Sequence, residues 1–342
     1  MSILNWLIRS EGSQHTPAAS KTRVATAIEL AVLGIDTRLR LVKGYARRLL
    51  PAVEAALAHC SCLAAAIPDP IDLLPDAWNR DSSLRALFVQ PGEIDELLGR
   101  SLELHAFAEQ PAHIGTEEIC AVISLLRTEQ NVLGWACQGD TLQKDVVQRT
   151  VSFSRHRLLV PSESEAELRR EIEWRAYEQL VVEALGCLFR SGATEQPGER
   201  VNALLRERLH LLQRSRAGLA ALQQPPLADE STFRSLRQQL VENAGQLASL
   251  RHHTDTLEEQ LERAAQVLAR PADIIMFART EDRLTSLNII TDDEACVAAR
   301  LRLFEIAVRG GQSFARTTAM VRLSRRQLKP RRMDFSAVER CL

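Results

Sequence analysis

The sequence predicts a mainly α-helical protein with a minor β component, and three observations carry that expectation. Aromatic residues are 4% of the chain against 45% apolar residues overall, so the core is to be built from Leu, Ala, Val and Ile. Such a core suits helix-on-helix packing. From Phe233 to Leu268, steps of three and four land on Leu236, Leu240, Asn243, Leu247, Leu250, Thr254, Leu257, Leu261, Ala264 and Leu268, an unbroken heptad register. Strand-like patterning, by contrast, is confined to two short stretches. The expected architecture is an N-terminal helical block, two short β-hairpins that could share one sheet, and a long antiparallel coiled-coil hairpin.

Taken in order, the chain divides into six parts. Residues 1–20 are an amphipathic start (Ile3, Leu4, Trp6, Leu7, Ile8) and a flexible Ser/Gly/Thr/Pro linker. Residues 21–115 read as an all-α block, with a helix through Val24, Ile28, Ala31, Ile35, Leu39 and Val42 and a break at Pro51. A second helix covers about 52–66. Three prolines between Ile67 and Pro75 make that stretch extended, and Asp81 is a good N-cap for the next short helix. Pro91-Gly92 separates that helix from one carrying Ile94, Leu97, Leu98 and Leu102.

Residues 116–162 are a β-hairpin segment. Thr116 is expected to cap a short helix over 119–126, followed by strands at 131–137 and 146–154 with turn chemistry at Gln138-Gly139-Asp140. Residues 163–269 form the helical and coiled-coil segment. Ser164-Glu165-Ala166-Glu167 is a capping box for a helix to about Arg190, a second helix is expected over 199–223, and a third follows Pro225-Pro226 and the cap Asp229. Residues 270–330 are a small α+β segment. Thr291-Asp-Asp-Glu294 caps a short helix there, and alternation over 302–308 and 315–323 around Gly310-Gly311 makes a hairpin. Residues 331–342 are a basic tail.

The heptads are expected to pair within the chain. In a parallel dimer the flanking positions carry complementary charge, but here they read Arg237, Gln239, Ala244, Gln246, Arg251, His253, Glu258, Gln260, Ala265 and Val267. A Leu-rich helix lies just upstream across a tight Pro-Pro loop, which makes antiparallel neighbours. At 1.5 Å per residue the third helix would be roughly 60 Å long and the second roughly 40 Å, so the surplus would pack elsewhere, the 164–190 helix being nearest. Asn243 and Thr254 are polar seam positions that either fix register or face solvent.

Composition and motifs exclude several classes. The net charge of −1 shows no global affinity for nucleic acid or membrane. Seven cysteines at scattered spacings match no disulfide framework and point to a reduced, cytoplasmic setting. Met1–Arg9 lacks the basic region of a secretory signal, and the absence of any run of about 18 apolar residues predicts no transmembrane helix. There is no Gly-x-x-x-x-Gly-Lys, Gly-x-Gly-x-x-Gly, Gly-x-Ser-x-Gly or His-Glu-x-x-His. His59, Cys60, Cys62, His105, His113 and Cys120 match no metal-ligand spacing, so neither metal nor cofactor is expected.

Two sets of residues stand out. The seam Leu236, Leu240, Asn243, Leu247, Leu250, Thr254, Leu257 and Leu261 would present a helical surface to protein partners. Arg309, Arg316, Arg322, Arg325, Arg326, Lys329, Arg331 and Arg332, uninterrupted by any Asp or Glu, are candidate anion-binding residues. The expected function is therefore a non-enzymatic coiled-coil interaction or scaffold protein, with unidentified protein partners. The alternative is a nucleic-acid-associated protein using the C-terminal arginines, although Phe314 is the one stacking residue among them. A third reading is an enzyme with its site near 131–156, where Ser152, Ser154 and His156 alternate and Asp140 and Asp145 lie close in sequence.

Overall fold

The computed structural model describes residues 19–138, 141–190, 199–222, 230–250, 254–293, 296–308 and 316–328. In chain order the helices are α1 (Ala19–Ile35), α2 (Tyr45–Ala66), α3 (Ser82–Leu87), α4 (Pro91–Arg100), α5 (Leu102–Glu109), α6 (Glu165–Arg190), α7 (Glu199–Arg214), α8 (Glu230–Ser249) and α9 (Thr254–Leu268). The strands are β1 (Ile71–Asp72), β2 (Glu118–Gln138), β3 (Thr141–Ser162), β4 (Ile275–Leu284), β5 (Ala299–Val308) and β6 (Thr317–Ser324). The start and linker at 1–18, the turn at Gly139-Asp140, the Pro-Pro loop with Asp229, and the Gly310-Gly311 turn lie outside the described residues.

Of the described residues about 57% are helix and 26% strand, around one six-stranded sheet in the order β3-β2-β6-β5-β4 with β1 on β6. The protein is thus an α/β mix, which corrects the expectation of a mainly α chain with minor β hairpins. The error begins at Ile119–Leu126, expected as a helix and found as the base of β2. Ile119, Ala121, Ile123 and Leu125 are buried on one face of the strand, and Cys120, Val122 and Ser124 on the other. A strand buried on both sides is a continuous apolar run, which periodicity cannot distinguish from a helix. The two hairpins join through β2 and β6, which pair antiparallel from Glu118↔Ser324 to Leu125↔Thr317.

The chain folds as two compact units. One comprises residues 67–168, 278–305 and 314–342. Its core lies on the sheet face made by Ile119, Ala121, Ile123, Leu125, Leu301, Leu303, Ala319, Val321 and Leu323, and α3, α4 and α5 cover that face with Leu84, Leu87, Phe88, Ile94, Leu98 and Leu104. Local chemistry places these helices. Asp81 caps α3, accepting from the Ser83 and Leu84 amides at 2.7 and 3.3 Å. Pro91 is the first residue of α4, where its missing N–H costs nothing.

The other unit comprises residues 1–66, 169–277 and 306–313. The helix expected to break at Pro51 runs through it, with Pro51 on the exposed face. The real break is the 3₁₀ turn Thr37–Leu41, after Asp36 and before Gly44 at φ +70°. This turn touches α1, α2, α8 and α9. It is held by a buried fork in which Arg38 Nη2 and Nε donate to the Asp36 carboxylate at 2.7 and 3.1 Å. The helix expected over 199–223 ends at Arg214, and a 3₁₀ turn follows at Gly218–Leu222. Gly218, at φ +74°, is required there, because a Cβ would lie 2.9 Å from the backbone N and Cα of Gln179 on α6.

The heptad stretch is not one helix. It forms α8 and α9, and α8 closes with a Leu250 N–H to Leu247 O bond of 3.2 Å that spans three residues instead of four. Arg251, His252 and His253, between the two helices, are outside the described residues. A count of threes and fours is blind to a break that leaves the spacing intact. α8 packs on α7, whereas α9 packs on α2, where Arg48 sits 3.5 Å from Glu258. Among the described residues there is no long coiled-coil hairpin, and two helices of one unit stand where a 60 Å arm was expected. Among the described residues, the helix expected after Thr291 is also absent. Thr291 Oγ1 instead accepts from the Asp293 amide at 3.2 Å in a local turn.

α2 is long and apolar enough to cross a membrane by length and composition, with a mean hydropathy of 1.5 over its most apolar 18 residues. Its stripe Leu49, Ala52, Val53, Ala56, Leu57, Cys60 and Ala64 is buried, and the helix packs against α1 and α9.

Candidate interaction surfaces

The seam residues are spent inside the fold. Leu236, Leu240, Leu247, Leu257 and Leu261 are buried, and Leu250 is half-buried. Thr254 begins α9, with its side chain outside the described residues. Asn243 is buried, and its Nδ2 donates to Leu204 O on α7 at 2.8 Å. Its Oδ1 accepts from Arg208 Nη1 at 3.3 Å, and the buried Arg208 also donates from Nε to Gly34 O at 3.1 Å. This polar pair ties α7, α8 and the end of α1 together. A helical surface that is consumed in this way offers little to an outside partner.

Several of the C-terminal arginines are likewise engaged. Arg316 donates from Nε to Ser124 Oγ at 2.8 Å and from Nη2 to Ser124 O at 2.9 Å and to Arg155 O. Arg325 donates to His113 O and, at 2.6 Å, to Ala108 O, satisfying carbonyls at the end of α5 and the turn after it. Arg322 lies 3.7 Å from Asp72 on neighbouring β1. Arg326 is exposed. Arg309, Lys329, Arg331 and Arg332 lie outside the described residues.

The residues of the enzyme reading are not gathered together. Ser152 and Ser154 are exposed, on the strand face opposite the buried Val151 and Phe153. Arg155, at φ +52°, makes a bulge that breaks the alternation. His156 consequently stacks on Phe88 with ring centroids 4.6 Å apart, and its Nε2 lies 2.8 Å from Leu87 O. Burial pushes its imidazole below the usual value, which keeps it neutral near pH 7. Asp140 is outside the described residues. Among the described residues no group of three His, Cys, Asp or Glu side chains could hold a metal ion.

The surface that sequence reasoning missed is the far end of the β2–β3 hairpin. β2 pairs with β6 only as far as Leu125, but it stays paired with β3 to Gln138↔Thr141. Residues 126–138 therefore run on as a ribbon about 40 Å long. Nearer its base, β3 is bridged by the 288–290 segment, through Val151 N to Asn288 O at 2.9 Å and Ile290 N to Arg149 O at 2.8 Å. Beyond that point both ribbon edges are unpaired among the described residues.

One face of this ribbon turns from charged at Glu129 and Arg149 to apolar farther out. Leu133 and Val147 are directly opposed across the strands and are 69% and 66% exposed. Trp135, two residues beyond Leu133, is 53% exposed, with Lys144 Nζ 4.4 Å from its ring centroid. Cross-strand pairs of large apolar residues normally face a core. Three such side chains together in water mark a contact surface more strongly than scattered single residues do. The signal was present as Val-Leu-Gly-Trp and Val-Val in sequence; what was hidden was that Leu133, Trp135 and Val147 stand exposed.

No protein-family model, curated protein or solved structure matches the chain.

Proposed function

We propose that this chain is a non-enzymatic interaction or scaffold protein whose contact element is the β2–β3 ribbon. The observation that supports the reading is the exposed Leu133–Val147 pair with Trp135 beside it on one face. Trp and other large apolar groups are the residue types that dominate protein contacts. The unpaired edge of β2 over 126–138 adds a row of main-chain donors and acceptors. An extended segment of a protein partner would join that edge as a further strand and lay its side chains on the apolar face. The cytoplasm is the proposed setting, consistent with Cys60, Cys62, Cys120 and Cys296, which form no disulfide.

Less supports the alternative of nucleic-acid association through the C-terminal arginines, since Arg316 and Arg325 direct guanidinium donors at main-chain carbonyls. Partner capture with the full chain and with Leu133→Asp/Val147→Asp tests the proposal. Charges on the ribbon face are expected to abolish capture while leaving far-UV circular dichroism unchanged. Retained capture would refute it.

A further inference from the structure

The base of the same hairpin carries a second feature, independent of the apolar face. Arg157 is the cross-strand partner of Ser124. Arg316 clamps onto that same Ser124 through Nε and Nη2, at 2.8 and 2.9 Å, and its Nη2 also reaches Arg155 O. Arg157 on β3 and Arg316 just before β6 are thus both neighbours of one serine, and Arg155 lies beside them, its main-chain carbonyl bound by Arg316. We propose that Arg155, Arg157 and Arg316 form a binding site for a phosphate dianion carried on a small soluble molecule.

Three observations support this assignment. Arg316 is held rigid by its contacts, and its Nη1 has no partner among the described residues, so one edge of a pre-oriented fork is left free. Arg155 and Arg157 are exposed, and among the described residues no carboxylate forms an ion pair with any of the three. Arg155 adopts φ +52°, a conformation that a non-glycine residue holds only under constraint, in a bulge that re-aims the strand. The guanidinium of Arg316 is pushed below its usual value by burial, then by the charges of Arg157 and Arg155.

Gathering like charges is unfavourable unless an anion relieves it, and planar guanidinium forks match tetrahedral oxyanions. A compact group of three arginines suits a single terminal phosphate, whereas a polynucleotide backbone calls for a track of charges and stacking rings.

The test uses the full chain, with glycerol 2-phosphate and inorganic phosphate titrated by calorimetry at low salt. One saturable site is expected. Arg155→Gln and Arg157→Gln should each weaken binding about tenfold, as for the loss of one charge-assisted contact. Arg157→Lys should weaken it less, and Arg326→Gln, at an exposed arginine outside the trio, should leave it unchanged. As a measure that needs no variant, phosphate should protect Arg155 and Arg157 of the wild-type protein from phenylglyoxal, read by peptide mass spectrometry. The proposal is overturned by absence of saturable binding, by an equal loss in Arg326→Gln, or by unprotected arginines. Tighter binding to single-stranded DNA or to phosphatidic acid vesicles than to glycerol 2-phosphate would also overturn it, in favour of those anions.

Discussion

Replacing Asn243 by Leu separates the observed packing from a coiled-coil seam by the sign of its effect. At a core position of a coiled coil a buried Asn lowers stability in exchange for register, so Leu there stabilises. Here Asn243 accepts from the buried guanidinium of Arg208 and donates to Leu204 O. The substitution removes a hydrogen bond to a charged group, about 1.5–3 kcal/mol, and a neutral one of about 1 kcal/mol. Leu returns about 1.5–3 kcal/mol of apolar burial. The net expectation is a loss of about 1 kcal/mol, a factor of about 5 in the local opening equilibrium. Hydrogen exchange on peptides from 199–214 and 230–249 measures it directly, with β2 and β3 peptides as an internal control. Unchanged or slower exchange in Asn243→Leu would refute the claim that this polar pair organises α7 and α8.

Two further outcomes follow from the same helical unit. Gly218→Ala forces a Cβ to within 2.9 Å of the Gln179 backbone at φ +74°, and should cost about 2–4 kcal/mol in urea denaturation; a change under 0.5 kcal/mol would show that α6 and the turn can separate freely. Burial pushes the Cys60 thiol up to about 12, so native protein at pH 8 should alkylate at exposed Cys62 and not at Cys60, as read by mass spectrometry. The sign of the linked stability follows: it is complete below the unfolded thiol value of 9 and declines as pH rises toward 12, because only the unfolded chain ionises there.

Local signals in the sequence translated well where a side chain closes on its own backbone. Asp81 caps α3, and Ser164 Oγ accepts from the Glu167 amide at 3.2 Å at the start of α6. Signals that depend on what lies across the core did not. Ile119–Leu126 is apolar on both faces because both are buried, and nothing local marks it as strand. The heptads of 233–268 record burial correctly for Leu236, Leu240, Leu257 and Leu261. They could not reveal that α8 turns its stripe to α7 and α9 turns its stripe to α2. The C-terminal arginines were visible as a charge run, but Arg155 and Arg157 are some 160 residues away from Arg316 in sequence and join it only through the β2–β3–β6 ladder.

The claim that the ribbon is the contact element is tested most directly by a photo-crosslinking residue placed at position 135 and, separately, at exposed position 262 on α9. In cells, position 135 is expected to give protein adducts that disappear when Leu133→Asp and Val147→Asp are added, while position 262 gives none. Adducts at position 262, with none at position 135, would contradict the account and return the partner surface to the helices.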